Sequence, residues 1–301
     1  MKAGVVVFAS ILGACSVQAR PGDVGIFLSA AEADADADGA GGHIDVPDAD
    51  DAGGHIDIPD APWPDAPEKP PTIVLMTTIR DFKKYDPNDP STVPDFGVTA
   101  VNDGVDREIV TATLGADNKP VYKNATGGTV TTAGKAWFNL WYRDVPGTNI
   151  NVPYTLTLTL TPDGEYEYDS RKTGILETTS TGTTRRIFTP IDDGSPYQTA
   201  FGNQGEKHNF SFTCEIHTVF TYRGGELLRF RSDDDIFVYV DKKLIINLGG
   251  YHGATGAEID VGVLELAPGN DYPLDVFYAE RKGKTGELLI TTSLDLRPRI
   301  D

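Results

Sequence analysis

Three acidic residues in a row, Asp233, Asp234 and Asp235, separate two strongly β-forming segments of the chain. Adjacent carboxylates repel one another, so their proximity is unfavourable unless a cation or a basic neighbour compensates the charge. Calcium takes about six to eight oxygen ligands and is commonly bound by carboxylates on loops. The triplet therefore predicts a calcium site. The alternative is a solvated acidic turn whose charges only keep an exposed loop soluble.

Histidine and cysteine are weaker candidates for chemistry. His252 lies in the glycine-rich segment GGYHG after the acidic triplet and is a candidate ligand-binding residue. A lone histidine is more often a hydrogen-bonded structural residue than a metal ligand, and the same interpretation is favoured for His208 and His217. Cys214 is expected to be a small buried side chain on a strand.

The segments that must position these residues have the pattern of β-strands. From Thr72 onward, short alternating runs rich in Thr, Val, Phe and Tyr are separated by clusters of Gly, Pro, Asn and Asp. We predict strands in ten segments: TIVLMTTIRDF, AWFNLWYRD, YTLTLTLTPDGEYEYDS, HNFSFTCEIHTVFTY, GELLRFRS, IFVYVD, KLIINLG, EIDVGVLEL, YPLDVFYAER and ELLITTSLDL. This number of strands at this spacing favours an all-β fold, specifically an antiparallel β-sandwich.

Two local patterns support this fold class. Alternate residues from Phe210 to Tyr222 are mostly apolar, which is typical of an antiparallel strand with one buried face. Asp163-Gly164 and Asp241-Lys242-Lys243 lie where tight turns would join neighbouring strands into hairpins.

Composition excludes several classes of partner. The chain has 301 residues, of which 39% are hydrophobic, enough to form a buried core. Its net charge of -19 has the wrong sign for a phosphate backbone, so nucleic acid is excluded as a partner. Two cysteines, Cys15 and Cys214, cannot build a disulfide framework. Beyond the N-terminus no apolar stretch is long enough to predict a transmembrane helix in the mature chain.

Residues 1–19 have the pattern of a secretory signal peptide, in which Lys2 precedes the apolar run AGVVVFASILGAC. The segment ending at Cys15, LGAC, resembles a bacterial lipobox, and a lipidated Cys15 would attach the protein to a membrane. Alternatively, Val17-Gln18-Ala19 is an ordinary small-residue cleavage site. The prediction is an exported protein, either an outer-membrane lipoprotein or a secreted or cell-surface protein.

Residues 20–71 consist largely of Asp, Ala, Gly and Pro, with 13 acidic and 2 basic side chains. Such a composition buries too little apolar surface to offset the entropy lost on ordering. The segment GGHIDVPDA at 41–49 recurs as GGHIDIPDA at 53–61, but this period is too short and too polar to stack as a solenoid. We predict a disordered acidic linker over 20–71 and a single β-sandwich domain over 72–301.

Seven further segments occur in a characteristic order: RDF with PDF (80–82 and 94–96), LGADNKPVY (114–122), FNLWYRDVPGTN (138–149), FTPIDDG (188–194), HNFSFTCEIHTVFTYRGGE (208–226), SDDDIFVYVDKKLIINLGGYHG (232–253) and YPLDVFYAER (272–281). Through them residues 80–292 resemble the fibro-slime domain, an extracellular module of bacteria and slime moulds. That domain is related to the protective-antigen-like β-sandwich of flocculin-type adhesins.

The resemblance implies a calcium site at the acidic triplet. In the calcium-dependent adhesins of the wider superfamily, two successive aspartates joined by a cis peptide bond hold a calcium ion, which binds sugar hydroxyls. The matching pair in this chain is Asp233 and Asp234, with Asp241 in the turn that follows. Cell-surface or extracellular glycans are the partners that this resemblance implies, and Asp235 is expected to contribute to ligand binding.

A second loop supplies further ligands in those adhesins, and the corresponding segment here is 281–287. Many fibro-slime sequences have a serine-asparagine pair where this chain has Gly286-Glu287. Glu287 is the candidate metal ligand from this loop, although three nearby basic side chains would oppose cation binding by repulsion. Asn247 stands where the family usually has aspartate. It is either a ligand-binding residue or an ordinary polar strand residue.

Three functions of different class are compatible with these residues. The first is a calcium-dependent carbohydrate-binding or adhesion module, and the second is a structural domain of an extracellular matrix or assembly that has no ligand. The third is a glycoside hydrolase that pairs Asp233 with Glu280 or Glu287. The sequence has no zinc-helix, nucleophile-elbow or phosphate-loop motif, so we expect no enzyme activity.

Overall fold

The computed structural model describes residues 68–97, 102–283 and 285–299. The predicted signal peptide over 1–19, the candidate lipidation site Cys15 and most of the predicted linker over 20–71 lie outside the described residues. No helix within the described ranges is long and apolar enough to cross a membrane.

The described residues form mainly strands. The strands are β1 Thr72–Phe82, β2 Gly104–Val105, β3 Asn149–Leu160, β4 Tyr166–Asp169, β5 Ile175–Thr178, β6 Thr184–Ile187, β7 Phe212–Thr221, β8 Leu227–Ser232, β9 Asp235–Val240, β10 Lys243–Leu248, β11 Gly250–Tyr251, β12 Thr255–Asp260, β13 Asp271–Glu280, β14 Leu288–Thr292 and β15 Leu296–Pro298. The helices are α1 Lys135–Phe138, α2 Ser170–Thr173 and a 3-10 turn at Val261–Leu264.

One antiparallel sheet folds over on itself to make the sandwich. Its strand order is β10-β9-β13-β7-β1-β3-β4-β14-β8-β12, with β15 paired to β7. Strands β3 and β4 share only two paired positions, Thr159 with Glu167 and Leu160 with Tyr166, and the sheet turns at this corner. Contacts between β10 and β12 close the opposite side. The prediction of an all-β antiparallel sandwich is confirmed.

The main core lies between the two halves of the sandwich. Ile216 of β7 and Val276 of β13 come from one half, and Phe230 of β8 and Ile290 of β14 come from the other. Each fully buried side chain of this size stabilises the fold by about 1.5–3 kcal/mol relative to exposure. The predicted alternation along β7 is confirmed, since Phe212, Cys214, Ile216 and Phe220 are all buried in this core.

A second apolar cluster lies on the other face of β9 and β13. Phe237 and Phe277 pack there against Phe138, Trp141 and Tyr142. The prediction of a strand at AWFNLWYRD is wrong, because this segment forms α1 and the turns after it. Phe138 ends α1, and Trp141 and Tyr142 follow in the turns, so all three pack against the same face of the sheet.

The predicted hairpin turns are confirmed at both positions. Gly164 has a positive φ of 81° in the turn between β3 and β4, and its N–H donates to the carbonyl of Thr161. Asp241 and Lys242, between β9 and β10, have φ angles of 47° and 65°. Two successive residues with positive φ match the right-handed twist of the strands that they join.

Candidate functional site

The acidic triplet lies where the chain crosses from one half of the sandwich to the other. Strand β8 ends at Ser232 between β12 and β14, whereas β9 begins at Asp235 between β10 and β13. Asp233 and Asp234 make the connection. Asp234 has a left-handed backbone conformation with φ of 56°, which aspartate adopts more readily than most residues.

Two neighbouring loops hold this connection by backbone hydrogen bonds. The Asp233 N–H donates to the Glu287 carbonyl at 3.0 Å, and the Asp234 N–H donates to the His252 carbonyl at 3.1 Å. The loop after β13 and the loop after β11 therefore meet at the acidic triplet. No peptide bond in the described part of the chain is cis, so the cis bond implied between Asp233 and Asp234 is not present.

All three acidic side chains are buried. Asp233, Asp234 and Asp235 retain 7%, 1% and 0% of their accessible surface. The solvated acidic turn that the sequence left open as an alternative is therefore wrong. A buried carboxylate needs a compensating charge or hydrogen bonds, so the partners of each acid decide what the site does.

Asp235 is compensated by the fully buried Arg281. Its Oδ2 accepts a hydrogen bond from Arg281 Nε at 2.6 Å, and its Oδ1 accepts one from the Gly250 N–H at 2.7 Å. The guanidinium also lies 4.9 Å from the centre of the Trp141 ring and donates from Nη1 to the Thr131 carbonyl at 2.5 Å. Because both oxygens have internal partners, the expected ligand contact of Asp235 is corrected to a structural ion pair.

Asp233, Asp234 and Glu280 have much less compensation. Asp234 Oδ2 accepts hydrogen bonds from the Arg281 N–H at 2.9 Å and the Lys282 N–H at 3.3 Å. Asp233 accepts one from the Thr285 hydroxyl. Glu280 is completely buried; its Oε2 accepts from the Tyr278 hydroxyl at 2.8 Å, and its Oε1 has no hydrogen-bond partner.

The pKa values of these three acids follow from their burial and their small number of compensating partners. Burial raises the pKa of Asp233 to about 6, against the opposing hydrogen bond from Thr285 and the charge of His252. Burial also raises the pKa of Asp234 well above its usual range, although the Arg281 charge opposes the shift. For Glu280, burial and then the charges of Asp234 and Asp233 raise the pKa. Burial therefore disfavours the ionised forms of these acids, and a cation bound beside them would oppose that shift.

Two other predicted site residues lie elsewhere. The Glu287 carboxylate forms an ion pair with Arg231 Nε at 2.9 Å, and its backbone carbonyl accepts the hydrogen bond from the Asp233 N–H. Asn247 donates to the Arg107 carbonyl at 3.2 Å and accepts from the Gly249 N–H at 3.1 Å. Glu287 as a metal ligand and Asn247 as a ligand-binding residue are thus corrected: both side chains have structural partners.

His252 and the basic second loop complete the surroundings. The His252 ring nitrogens lie 2.9 Å from the Gly253 carbonyl and 3.1 Å from the Leu248 carbonyl, which fixes the ring on its loop. Lys282 Nζ donates to Asp103 at 2.8 Å and lies 4.0 Å from the centre of the Tyr251 ring. The expected repulsion of a cation by Arg281 and Lys282 is therefore reduced, because both charges already have partners. Lys284 lies outside the described residues.

The acidic connection opens onto a cleft of about 820 Å³. Asp233, Asp234 and His252 line it together with Tyr251, and a further part of its lining comes from segment 203–211. A volume of this order accommodates a small ligand such as a mono- or disaccharide. The His252 side chain is thus in the cleft, where its contact with a ligand stays a prediction.

The acidic connection lies in a region that is similar to a known domain family. Residues 187–299 match the PA14 domain. This range contains the acidic triplet, the loop after β13 and segment 203–211, but not β1, β3 or β4.

Curated relatives cover most of the β domain. Protein psiD of Dictyostelium discoideum is 35% identical over 235 residues, which is 75% of this chain and 42% of psiD. Protein psiR of the same organism is 33% identical over 233 residues, which is 76% of this chain and 22% of psiR. The chain therefore spans less than half the length of these two relatives.

Solved structures give weaker likenesses. One is described as a PA14 sugar-binding domain from an RTX adhesin, with 18% identity, 30% of this chain and 48% of that chain covered, and a TM-score of 0.21. Another is the epithelial adhesin 9-to-1 A domain of Candida glabrata in complex with β-lactose, with 11% identity, 74% and 82% coverage, and a TM-score of 0.26.

Several residues of the PA14-matching region were not assigned to the site by sequence reasoning. These residues are separated in sequence from the acidic triplet. They are Arg281, the partner of Asp235, Thr285, a donor to Asp233, and Tyr251, which lines the cleft. One signal was available: Tyr251 adjoins His252 in the GGYHG segment that was already singled out.

The oxygen atoms of Asp233 and Asp234 are of the kind that a hard cation prefers, but they do not form a complete coordination shell by themselves. Asp233 and Asp234 provide buried carboxyl oxygens, and their raised pKa values reflect burial with little compensation from basic partners. Within the described residues, no three His, Cys, Asp or Glu side chains are grouped closely enough to hold a metal ion. Calcium at Asp233 and Asp234 would therefore also need backbone, water or ligand oxygens, which it accepts readily.

Proposed function

We propose that this chain is an exported cell-surface module that binds carbohydrate, as adhesins do, through calcium held by Asp233 and Asp234. One observation carries the proposal: buried carboxyl groups with raised pKa values and little compensating charge line a cleft of about 820 Å³. The match of residues 187–299 to the PA14 domain, an adhesin-like carbohydrate-binding domain, supports it.

In this function the chain's own residues prepare the site. Arg281 neutralises Asp235, so the charge available to a cation is that of Asp233 and Asp234. The N–H groups of Arg281 and Lys282 orient the Asp234 carboxylate from one side. Asp233 and Asp234 would hold the calcium, which would supply coordination positions for vicinal hydroxyls of a hexose. Tyr251 and Phe210 give the cleft apolar faces of the kind that sugar rings contact.

The location and the finer family also belong to this proposal. We assign the domain to the fibro-slime type on the ordered motifs of residues 80–292, and cell-surface or extracellular glycans are its proposed partners. Export rests on the signal-peptide pattern over 1–19, and attachment to a membrane rests on the lipobox-like segment that ends at Cys15.

A structural domain without a ligand is the second candidate. It is favoured by the lack, in the described part of the chain, of a group of three metal-binding side chains. In that case the three uncompensated acids would simply be protonated in the folded state, with no ion required.

Calcium titration followed by thermal unfolding separates the two candidates. A ligand that binds only the folded protein raises the midpoint, by about 2.7 kcal/mol of stability at a hundredfold excess over Kd. We expect a rise for the full chain with millimolar calcium and no rise for Asp233→Asn or Asp234→Asn. Asp241→Asn, in the exposed β9–β10 turn, is the matched control and keeps the rise.

Sugar recognition is tested on a glycan array with calcium and with chelator. Binding that disappears with chelator and in Asp233→Asn supports the proposal. No calcium-dependent shift together with no glycan binding would leave the structural domain as the better account, and chelator-independent binding would remove calcium from the mechanism.

A further inference from the structure

A second pocket, of about 470 Å³, lies beside α1 and outside the region that matches the PA14 domain. We propose that it is a calcium-independent binding site for an acidic saccharide. In this site the Trp137 indole contacts a sugar ring, and the Lys135 ammonium pairs with a carboxylate of that sugar, as in a uronic acid. The inference does not depend on the function proposed for the acidic connection.

Asp95 holds both ends of the segment that carries this pocket. Its Oδ1 accepts a hydrogen bond from the Ala133 N–H at 2.6 Å, and its Oδ2 accepts one from the Trp141 indole N–H at 3.0 Å. Asp95 is almost completely buried, so this carboxylate fixes α1 and its flanking turns against the fold. A pocket that is already held in shape loses less entropy when a ligand binds.

Two glycines leave space open in this pocket. Gly127 and Gly134 have positive φ angles of 75° and 125°, which residues with a side chain rarely adopt. A Cβ on Gly134 would lie 3.0 Å from the Gly127 carbonyl oxygen, whereas one on Gly127 would meet nothing within 4 Å. The pocket is therefore bounded by bare backbone at these positions, and its volume lies within the range of small-molecule sites.

Trp137 supplies the aromatic part of the lining. Its side chain is only half-buried against the second apolar cluster. Its indole N–H has no hydrogen-bond partner among the described residues and is not enclosed by protein. Trp141, four residues later, shows the contrast, because it is fully buried and its N–H is bonded to Asp95. A partly exposed indole suits the apolar face of a sugar ring, and its N–H suits a hydroxyl.

The polar residues of the lining favour an acidic ligand. Lys135 is exposed, and its ammonium has no partner in the described part of the chain. The Asn139 side-chain amide is likewise without a partner there. Although the chain has a net charge of -19, no acidic residue is among the described residues that line this pocket. A carboxylate is therefore the ligand group that the lining attracts, and the Asn139 amide can bond to it or to a hydroxyl.

The test measures binding to the full chain by calorimetry in chelator, with cellobiouronate, digalacturonate and the neutral disaccharide cellobiose as probes. We expect both uronates to bind, and cellobiose to bind about threefold more weakly than cellobiouronate because it lacks the carboxylate. Affinity for the uronates should fall about tenfold in Trp137→Leu and about threefold in Lys135→Gln. Lys243→Gln, at an exposed lysine of β10 outside this pocket, is the matched control and should leave the affinity unchanged.

A second measurement needs no substitution in the pocket. When cellobiouronate is added to the unmodified chain, the indole ¹H–¹⁵N resonance of Trp137 should shift, whereas that of Trp141, bonded to Asp95, should not. An unmoved Trp137 resonance, equal shifts of both, or no binding of either uronate at millimolar concentration would overturn this site. Equal affinity for cellobiose and cellobiouronate, or unchanged affinity in Trp137→Leu, would also overturn it.

The chelator keeps this test separate from the function proposed for the acidic connection. Failure of uronate binding in chelator would leave calcium-dependent glycan binding as it stands. Loss of the calcium effect at Asp233 and Asp234 would in turn leave this pocket as it stands, because its expected binding requires no calcium.

Discussion

Glu215 and Asp234 are both buried carboxyl groups close to an arginine, yet their pKa values move in opposite directions. Burial tends to raise the pKa of Glu215, but the hydrogen bond from His217 and the charges of Arg80 and Lys119 lower it to about 2. Burial raises the pKa of Asp234 well above its usual range, and the single opposing charge of Arg281 does not reverse the shift.

The two regions differ in the number of basic side chains that compensate their carboxyl groups. On the outer face of β7 and β13, Glu215 lies 2.9 Å from Arg80 and 2.7 Å from Lys119, while Asp275 lies 2.9 Å from Arg299. At the acidic connection, the Arg281 side chain forms its ion pair with Asp235. The first region is a neutralised network that supports the fold. The second has too few basic partners, so the ionised forms of its acids are disfavoured.

The largest effect is expected when the neutralised network loses its acid. Glu215→Gln leaves the buried Arg80 and the partly buried Lys119 without their shared carboxylate, which costs about 3–5 kcal/mol. Urea unfolding at pH 7, compared at equal m value, measures the loss. A change below about 1 kcal/mol would contradict the view that this network supports the fold.

A smaller effect distinguishes two neighbours within the acidic triplet. Asp235→Asn removes the partner of the fully buried Arg281 and is expected to cost about 2–4 kcal/mol. Asp233→Asn, without calcium at pH 7, is expected to stabilise by about 1–2 kcal/mol, because the Asp233 pKa near 6 makes its ionised form unfavourable. Denaturant unfolding in chelator compares the two variants, and equal losses would show that Asp233 is compensated as well.

A third prediction concerns pH and the buried Asp81. Burial raises its pKa to about 6, against hydrogen bonds from Thr199 and Asn209. Because the folded state binds this proton more tightly, its stabilising contribution is complete below about pH 4 and is lost as pH rises through about 6. Relative to the unmodified chain, the free energy of unfolding of Asp81→Asn should therefore be about 1–2 kcal/mol more favourable to the folded state at pH 8 than at pH 4.

Unfolding midpoints between pH 4 and 8 measure this change. The exposed turn residue Asp163 supplies the control, since Asp163→Asn should leave the pH profile as it is. A profile for Asp81→Asn parallel to that of the unmodified chain would show that Asp81 does not retain its proton in the folded state.

The smallest effect is expected where both charges are in water. Glu108 and Lys123 approach to 2.5 Å, but their side chains are 66% and 46% exposed. Glu108→Gln should change the free energy of unfolding by less than about 0.5 kcal/mol, because solvent screens such a pair. A loss as large as that of Glu215→Gln would show that proximity, and not burial, sets the contribution of these ion pairs.

Much of the fold could be predicted from local pattern. The alternation along β7 placed Phe212 and Cys214 in the core, and Asp163-Gly164 marked a hairpin turn. Two predicted strands were wrong in whole or in part: AWFNLWYRD forms α1 and turns although aromatic residues favour strands, and EIDVGVLEL leaves β12 after Asp260 for a 3-10 turn at Val261–Leu264.

The position of the site was also visible, but its charge balance was not. Three consecutive acids marked the connection between β8 and β9. Which of them is neutralised depended on Arg281, 46 residues from Asp235, and on the carbonyl of Thr131, 150 residues from Arg281. Likewise, the pairing of Glu287 with Arg231 arises only when distant parts of the chain meet.

Residue order along the chain therefore determined the β-sandwich class and the place where acids are concentrated, because strand alternation and turn geometry depend on near neighbours. Tertiary structure alone decided which acid is paired with an arginine and which is buried without a compensating charge. Burial and Coulomb interactions depend on distance in space, and residues far apart in sequence set those distances.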